Sequence, residues 1–411
     1  MSNPFLYKCT TCDREYEPKR VYYLCPHCSV NKSNPPKGVL KVIYPYEELR
    51  GNDFSFKALL ENGFKDLTPI RDLKNLPNLK VGNSPLYKIE KLFDAKLHFN
   101  LYLKDDSQNP TYSFKDRASG WVSAHAKENG FDTIITASTG NAGSSIAGIC
   151  ASQGQRAIVV VPASAPVAKL TQIIMYGATI VPVAGTYDDA FDLSVMATEE
   201  FGFYNRNTAY NPITVEGKKT VSFEIFNQLN KSIPDRIFVP VGDGVILSGV
   251  YKGFEYLLKL GVIEKMPVMV AVQSEGSNNL VRNINSSHFE VKESKTIADS
   301  ISVDYPRNFY MARDFIKKYN GEWISVSDTE IIDAGKNLAR NTGLFAEPAS
   351  SAAYAGLLKY SGLGRINDHS SNVVLLTGSG LKNVSAFLDY LKVPEPIKPD
   401  ITNFMQFIKD N

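Results

Sequence analysis

One stretch carries the residue on which the other motifs of this chain converge: Asn109-Pro110-Thr111-Tyr112-Ser113-Phe114-Lys115-Asp116-Arg117-Ala118-Ser119. It places a single lysine behind a turn and a Ser-Phe pair, at the predicted start of a helix. A lysine in the crevice of an α/β fold suits Schiff-base chemistry, because removal from water lowers the pKa of its amine and frees the nucleophile. A Lys-Asp-Arg tripeptide at a helix start is more often an ordinary charged surface, so Lys115 needs support from other segments.

Size and composition narrow the class of protein. The chain has 411 residues, 43% of them hydrophobic and 21% charged, which is typical of a globular protein with two or three domains. A formal net charge of +2 argues against a nucleic-acid partner, which normally requires a clear basic excess. The sequence shows no apolar run of about 18 residues that would span a membrane, and no signal-peptide core. We therefore predict a cytoplasmic protein without nucleic-acid or membrane partners.

Four cysteines lie close to the N-terminus. Cys9 and Cys12 form one Cys-x2-Cys pair, and Cys25 and Cys28 form a second, with twelve residues between the pairs. This spacing allows two knuckle turns joined by a short hairpin, so that four thiolates converge on one Zn²⁺. Two disulfides would need an oxidising compartment that nothing else indicates. A nucleic-acid-binding ribbon is disfavoured because acidic residues balance the nearby basic ones. We predict a structural zinc ribbon over residues 1–30.

From Asp132 onward, strand patterns and helix patterns alternate, which indicates parallel sheets with helices on their faces. The predicted strands are Val39–Ile43, Lys96–Leu103, Thr133–Ala137, Arg156–Val161, Thr179–Val183, Arg236–Val241, Pro267–Gln273 and Asn372–Thr377. The predicted helices are Ala142–Gln153, Val167–Tyr176, Asp188–Phe201, Val215–Leu229, Ile246–Leu260, Ser327–Asn341 and Ser350–Tyr360. We predict an α/β fold of two open parallel-sheet domains that share a crevice. Ligand sites in such sheets lie at the carboxyl ends of the strands.

Breaks in these patterns give the expected organisation. After the ribbon, residues 31–80 are predicted to form an N-terminal arm or linker. The predicted large domain comprises residues 81–113 plus 213–393, the small domain residues 114–212, and the C-terminal tail residues 394–411.

Three loops follow strand ends and contain glycine. Ser138-Thr139-Gly140-Asn141-Ala142-Gly143 can bind a carboxylate through its backbone N–H groups, and the side chain of Asn141 can donate a hydrogen bond to a cofactor oxygen. Gly242-Asp243-Gly244-Val245-Ile246 can hold a phosphate, provided that the carboxylate of Asp243 turns away from it. Thr377-Gly378-Ser379-Gly380 offers a hydroxyl to a pyridine nitrogen. Each loop alone is also typical of an ordinary strand end. Together with Lys115 they are what pyridoxal 5'-phosphate (PLP) requires.

At this point the chain resembles the fold-type-II PLP enzymes, which have the tryptophan synthase β-like fold, and within them the threonine synthase family. The segments that carry the resemblance span nearly the whole chain in order: residues 109–117, 137–141, Ala168-Lys169-Leu170 with Gln172, Gly177-Ala178, Glu216-Gly217 with Lys219-Thr220, Val239-Pro240-Val241-Gly242, Glu347-Pro348-Ala349-Ser350-Ser351-Ala352, and Thr377-Gly378 with Gly380-Leu381-Lys382. A cysteine-rich N-terminal ribbon is also similar to many members. The resemblance implies a homodimer.

The resemblance also implies roles for individual residues. Lys115 is expected to bind the cofactor aldehyde and then to move protons among the α, β and γ carbons of the substrate. Asn141 is expected to contact the ring 3-oxygen, residues 242–246 to hold the cofactor phosphate, and Thr377 to face the pyridine nitrogen. The residues expected on the substrate side are Tyr112, Ser113, Ser138 and Thr139.

The chain departs from the family in the pocket for the substrate's own phosphate. The family's threonine, serine and arginine ligands are replaced by Ala142, Ala209 and Thr214, and Tyr112 stands where glycine is usual and would narrow the substrate side. Two hypotheses stay open. Conversion of O-phosphohomoserine and water to threonine and phosphate is the leading reaction, with substitute ligands for the phosphate (Lys169, Arg206 or Lys218). The alternative is a threonine-synthase-like paralogue that acts as a serine or threonine ammonia-lyase or as a β-replacement synthase. A PLP-holding protein without turnover is disfavoured by the presence of Lys115.

Overall fold

Three β-sheets and the helices around them form the part of the chain that the computed structural model describes, which is residues 5–18, 20, 22–30, 33–50, 55–92 and 95–410. The residues outside it are 1–4, 19 and 21 of the predicted ribbon, 31–32 and 51–54 of the predicted arm or linker, 93–94 of the predicted large domain and 411 of the predicted tail. The strands are β1 (Leu6–Cys9), β2 (Glu15–Tyr16), β3 (Leu40–Ile43), β4 (Leu86–Leu92), β5 (Ala95–Asp105), β6 (Thr133–Ala137), β7 (Arg156–Pro162), β8 (Thr179–Val183), β9 (Tyr204–Asn205), β10 (Arg236–Pro240), β11 (Val268–Ser274), β12 (Glu322–Val326) and β13 (Ser371–Leu376). The α-helices are α1 (Tyr46–Arg50), α2 (Phe56–Glu61), α3 (Lys115–Glu128), α4 (Asn141–Gln153), α5 (Val167–Met175), α6 (Tyr187–Phe201), α7 (Ile213–Gln228), α8 (Val245–Lys259), α9 (Asn279–Arg282), α10 (Phe309–Lys318), α11 (Asp328–Thr342), α12 (Pro348–Gly362), α13 (Ser385–Leu388) and α14 (Ile401–Asp410).

Two of the sheets are open and mainly parallel. The six-stranded sheet has the order β12-β11-β10-β13-β5-β4, and only its edge strand β4 runs antiparallel to its neighbour. The four-stranded sheet has the order β8-β7-β6-β9 and is parallel throughout. The predicted α/β class with two parallel-sheet units is therefore confirmed. The larger sheet draws its strands from both sides of the smaller one in sequence, which brings the carboxyl ends of both sheets to a common crevice.

Helices cover both faces of these sheets, and β10 shows why. Its residues Ile237 and Val239 pack with the apolar side chains of α7 and α8, whereas Phe238 between them packs with those of α12. Successive side chains of a strand point to opposite faces, so a strand covered on both faces must be apolar at every position. This constraint explains the uninterrupted apolar runs of the central strands.

The third sheet lies at the N-terminus and has the order β2-β1-β3. Its strand β3 pairs antiparallel with β1, with Cys9 opposite Leu40. The sheet that carries the first cysteine pair therefore extends past residue 30, into the segment predicted as an arm. Gly38 shows the tight packing there: it has a φ of +81°, and a Cβ on it would lie 3.1 Å from Cβ of Cys28.

Elements buried at sheet centres were predicted most accurately. Each predicted strand and helix agrees with an observed one to within two residues at each end. The sequence-based prediction missed the edge strands β4 and β12, the two-residue strand β9, helix α10 and the short helices α1, α2, α9 and α13. Strand β4 has the sequence Leu-Tyr-Lys-Ile-Glu-Lys-Leu, and its mostly exposed side chains give no apolar run. The predicted C-terminal tail contains helix α14. Among the described residues, no helix combines the length and the apolar character needed to cross a bilayer.

A buried charge network fixes α7 against α8 and the N-terminal sheet. The carboxylate of Glu216 on α7 forms ion pairs with Lys219 and with Lys252 of α8, and it accepts a hydrogen bond from Oη of Tyr44 at 3.0 Å. Burial raises the pKa of Glu216, but the two ammonium groups outweigh burial and hold the pKa below its usual value. Oη of Tyr256 donates to the carbonyl of Val42 in β3 at 3.1 Å, which ties α8 to the same sheet. The network therefore positions α7 from two sides.

We predict that Glu216→Gln destabilises the protein by about 3–5 kcal/mol, because it leaves two buried ammonium groups without a negative partner. Urea unfolding at neutral pH measures the change. The matched control is Glu290→Gln, which removes an exposed carboxylate 3.9 Å from Arg282 and should change stability by less than about 1 kcal/mol. Equal effects of the two substitutions would contradict the structural role of Glu216.

Candidate active site

A cavity of about 630 Å³ lies at the carboxyl ends of β6, β9 and β10, where the two parallel sheets meet. Its wall combines elements of both sheets with the loop before α10. The lining residues are Lys115, 137–142, Lys169, 186–188, Arg206, Thr208, Lys218, 240–246, Ser294, 299–305 and Arg307. Of the residues that the sequence predicts for the site, Lys115, Ser138, Thr139, Asn141 and residues 242–246 therefore share one cavity. Tyr112, Ser113 and Thr377 are not among its lining residues.

Backbone hydrogen bonds pin the predicted catalytic lysine to the end of β13. The N–H of Phe114 donates to the carbonyl of Thr377 at 2.8 Å, and Ser113 forms an isolated antiparallel bridge with Gly378. Helix α3 begins at the next residue, so partly buried Lys115 is its first residue. Burial lowers the pKa of Lys115; the carboxylate of Glu347 opposes this shift. A lysine whose pKa is lowered keeps more of its amine neutral, as Schiff-base formation requires.

One carboxylate links two of the predicted cofactor contacts. Oε2 of Glu347 accepts a hydrogen bond from Nδ2 of Asn141 at 2.7 Å, and its Oε1 accepts one from Oγ1 of Thr377 at 3.2 Å. Glu347 is 2% exposed, and burial raises its pKa while Lys115 lowers it. Glu347 lies in a motif that carries the family resemblance, but the sequence-based prediction assigned it no role. The signal available in the sequence was an acidic residue directly before a proline that starts a helix.

The loop after β10 forms an anion cradle. Helix α8 begins at Val245 and Gly244 caps it with a φ of +84°, where a Cβ would lie 2.9 Å from both Ala312 and Leu280. The first N–H groups of a helix have no partner within it, and residues 242–246 of this turn line the cavity. The side chain of Asp243 accepts a hydrogen bond from the backbone N–H of Arg307 at 2.9 Å. This contact turns the carboxylate of Asp243 toward Arg307, and such an orientation is the condition under which the loop can hold a phosphate.

Two nitrogen atoms of basic side chains in the cavity wall lack a hydrogen-bond partner among the described residues. They are Nη2 of Arg206 and Nζ of Lys218, and both side chains are fully buried. Burial lowers the pKa of Arg206 to about 10, so its guanidinium remains charged at neutral pH. Burial also lowers the pKa of Lys218 well below its usual value, and the positive charges of Arg206 and Lys115 lower it further. The interior of the cavity therefore favours an anion.

At the rim of the cavity, by contrast, the charges are paired. The guanidinium of Arg307 contacts the carboxylate of Asp188 at 2.5 Å, and it stacks over the ring of Phe191 with 4.2 Å to the ring centre. Lys169, one of the three suggested phosphate ligands, forms an ion pair with Asp299. Both pairs connect the smaller sheet's helices to the loop before α10. Of the three suggested phosphate ligands, Arg206 and Lys218 form no ion pair with a described residue.

The positions that depart from the family have varied surroundings. Ala142 lines the cavity and offers it only a methyl group. Thr214 is buried and donates its hydroxyl to the carbonyl of Asn211 at 2.7 Å, and Ala209 is buried with a φ of +64°. Tyr112 has a φ of +66°, the conformation that explains glycine at this position, and its side chain is 55% exposed. This side chain therefore lies on the surface rather than over the cavity, contrary to the expectation that it narrows the substrate side.

The residues of the cavity fit PLP. The cradle at residues 242–246 suits a phosphate, and the lysine amine suits an aldehyde. The four N-terminal cysteines likewise fit a metal ion, since their sulfur atoms all lie within 4.8 Å of one another.

Comparisons with known proteins agree with this chemistry. The family of the pyridoxal-phosphate dependent enzymes matches residues 78–378. The threonine synthase of Methanocaldococcus jannaschii is 33% identical over 98% of this chain and 100% of the relative. That of Halalkalibacterium halodurans is 36% identical over 86% of this chain and 98% of the relative. The chain belongs to the threonine synthase family of PLP-dependent enzymes. The predictions of a PLP enzyme and of a lyase are confirmed, and elimination or replacement at Cβ or Cγ is the class of reaction that these relatives support.

Solved structures of lower identity show the fold. Threonine deaminase isoform 2 from Solanum lycopersicum superposes with a TM-score of 0.67 at 21% identity, covering 84% of this chain and 95% of that one. A fungal L-serine ammonia-lyase from Rhizomucor miehei gives a TM-score of 0.65 at 22% identity, covering 75% and 97%. Both confirm the fold-type-II architecture that the sequence predicted.

We predict that Lys218→Met stabilises the protein free of PLP and phosphate by about 1–3 kcal/mol at pH 7, because it removes a buried, unpartnered amine. The pKa of Lys218 is lower in the folded state than in the unfolded state, so the unfolded chain binds more protons and wild-type stability rises with pH toward about 10.5. The advantage of the variant should therefore shrink from pH 7 to pH 9 in urea unfolding. Lys80→Met, at an exposed lysine, is the control and should stay within about 0.5 kcal/mol of wild type. A Lys218→Met protein less stable than wild type at both pH values would contradict the prediction.

Proposed function

We propose that this chain converts O-phosphohomoserine and water to threonine and phosphate. The observation that carries the proposal is the interior of the cavity, where unpaired basic groups surround the predicted Schiff-base lysine. PLP needs one anion site for its phosphate, and the loop at residues 242–246 supplies it without using a charged side chain. Positive charge beyond that need favours a substrate that carries a second anionic group, and the name of the relatives agrees with this.

The proposed roles of the residues are those that the resemblance to the family implies. When bound, PLP supplies an electron-withdrawing ring that stabilises negative charge on the carbons of the substrate. Lys115 binds the cofactor aldehyde, and its amine, once released by the substrate, carries protons among the α, β and γ carbons. Asn141 donates to the ring 3-oxygen, and Thr377 places a neutral hydroxyl at the ring nitrogen. The backbone N–H groups of Ser138 and Thr139 bind the substrate carboxylate at the start of α4.

A serine or threonine ammonia-lyase or a β-replacement synthase is the second candidate. It is favoured by the loss of three polar side chains at Ala142, Ala209 and Thr214, since the first of these lines the cavity with a methyl group. The two candidates differ in the group that leaves, because the synthase releases phosphate and the ammonia-lyase releases ammonia.

Turnover of four substrates by the PLP-loaded protein tests the proposal. We expect O-phosphohomoserine to give threonine and inorganic phosphate in equal amounts, and O-phosphoserine, threonine and serine to react at least about 100-fold more slowly. Lys115→Ala should abolish turnover and the visible absorption of lysine-bound PLP, while the folded state is retained. Ammonia from serine or threonine, with no phosphate from O-phosphohomoserine, would favour the second candidate and exclude the first.

We also propose that Cys9, Cys12, Cys25 and Cys28 bind a structural Zn²⁺. The sulfur atoms of Cys9 and Cys28 lie 3.9 Å apart and those of Cys12 and Cys25 lie 3.8 Å apart. A tetrahedron with Zn–S bonds of about 2.3 Å has edges of about 3.8 Å. Both separations match that edge length, and both are too long for a disulfide, whose sulfur atoms lie about 2.0 Å apart.

For Cys9→Ser we predict loss of the bound zinc and a lower melting temperature, with the affinity for PLP unchanged, because no described residue of the ribbon lines the cavity. Metal analysis of the purified protein and a PLP titration measure both effects. The control is Cys150→Ser, at a buried cysteine of α4 outside the cluster, which should keep the zinc. Retention of zinc by Cys9→Ser would exclude this ligand set, and loss of PLP binding in the folded variant would show that the ribbon is more than structural.

A further inference from the structure

We propose that Arg206 and Lys218 together bind the phosphate of the amino-acid substrate and replace the family ligands that are absent at Ala142, Ala209 and Thr214. This inference rests on the proposed function, which it deepens by naming the residues that select a phosphorylated substrate. Three observations support it: the orientation of Arg206, the packing of Lys218, and the pairing of the other charges in the cavity wall.

Arg206 is held so that one edge of its guanidinium stays free. Its backbone N–H donates to the carbonyl of Ile135 in β6 at 2.8 Å, which places the residue at the carboxyl end of the smaller sheet. Nε lies 3.3 Å from Oγ of Ser119, and Nη1 donates to Oγ1 of Thr208 at 3.0 Å. Nη2 has no partner among the described residues. A guanidinium fixed by two neutral hydroxyl groups keeps its full charge for an anion at the third nitrogen.

Lys218 takes over from the arginine that the family places at residue 214. The two positions are four residues apart on α7, so they share one face of the helix. At this point α7 crosses α8 so closely that a Cβ on Gly249 would lie 2.6 Å from Cβ of Lys218. This packing fixes Cβ of Lys218. The residue lines the cavity, and its buried amine has no partner among the described residues. Relative to the family arginine, the basic side chain is therefore displaced by about one helical turn.

The described acidic groups of the cavity wall form no ion pair with Arg206 or Lys218. Asp188 is paired with Arg307 and Asp299 with Lys169, whereas Asp243 and Asp304 accept from the backbone N–H groups of Arg307 and Ser294. Burial lowers the pKa of Lys218, and the charge of Asp243 opposes this shift without an ion pair between the two side chains. Two buried basic groups without an anion in contact are unfavourable unless a ligand supplies the charge. The cofactor phosphate is assigned to the backbone N–H groups of residues 242–246, so the substrate phosphate is the dianion that pairs with Arg206 and Lys218.

The assignment also gives the pair a part in the reaction. Lys115 takes a proton from Cα and then one from Cβ, and the electron pair of the Cβ–H bond forms a double bond to Cγ. The bond between Cγ and the phosphate oxygen breaks at the same time, and its electron pair goes to that oxygen, where Arg206 and Lys218 stabilise the added negative charge. Protons then return to Cγ and Cα, the hydroxyl of water adds at Cβ, and the remaining proton of water goes to the phosphate, so that threonine and inorganic phosphate account for all atoms.

The test uses the PLP-loaded protein, in which the cofactor phosphate occupies its own cradle, and inorganic phosphate as the probe. The variants are Arg206→Met and Lys218→Met, with Arg206→Lys as the conservative form. Melting temperature is measured with increasing inorganic phosphate, and the KM for O-phosphohomoserine and the affinity for PLP are measured on the same proteins.

We expect inorganic phosphate to raise the melting temperature of the wild type and to have no such effect on either methionine variant. The KM should rise at least about 30-fold, as for loss of a charged hydrogen bond, while PLP affinity changes by less than about 3-fold.

Two comparisons keep the outcomes distinct. Arg206→Lys should regain part of the stabilisation by phosphate, and Lys169→Met, which removes a lysine already paired with Asp299, should keep it. Loss of PLP affinity with the phosphate effect intact would show that the pair serves the cofactor, and it would overturn the inference. An unchanged KM in variants of a wild type that turns over O-phosphohomoserine would also overturn it and leave the proposed function standing. A wild type that releases no phosphate would instead reject the proposed function.

Discussion

Two buried basic side chains without an ion-pair partner among the described residues of the crevice are the constraint on which the chemistry of this protein depends. Arg206 and Lys218 are fully buried, and neither has an anion among the described residues. Removing a basic group from water without a partner is unfavourable, so burial of such a pair requires a ligand that supplies the opposite charge. Burial lowers the pKa of Lys115, and the charge of Arg206 adds to this shift, whereas the carboxylate of Glu347 opposes it. One electrostatic arrangement therefore prepares both the nucleophilic amine and the site for a phosphate.

The fold supplies this arrangement through close backbone contacts. Helix α3 must pass α7 at Gly217, where a Cβ would lie 2.2 Å from the carbonyl oxygen of Arg117, so only glycine allows the approach. One residue before it, Glu216 bonds α7 to α8 through Lys252. One residue after it, Lys218 borders the cavity. The Glu-Gly-Lys run thus combines an anchor, a close contact and a binding group in successive residues of one helix, which connects the stability of the core to the position of the charge.

Sequence alone predicted the sheets, the lysine and the loops, because burial on both faces and glycine at strand ends leave strong local patterns. It did not predict edge strand β4, whose charged residues face solvent, or the pairing of β3 with β1, which depends on a distant segment. It proposed Lys169, Arg206 and Lys218 as equal candidates for the phosphate. Only the tertiary structure separates them, because the partner of Lys169, Asp299, lies 130 residues away in sequence. For the same reason the sequence did not predict that the carboxylate of Glu347 lies between Asn141 and Thr377. It also did not predict that the side chain of Tyr112 is exposed.

The most direct measurement of the central claim is a crystal structure of the PLP-loaded protein with inorganic phosphate. A phosphate ion within about 3 Å of both Nη2 of Arg206 and Nζ of Lys218, separate from the cofactor phosphate at residues 242–246, is the predicted result. The contradicting result is a structure in which the phosphate of PLP itself contacts Arg206 and Lys218, or in which both side chains turn to Asp243 and the added phosphate binds elsewhere.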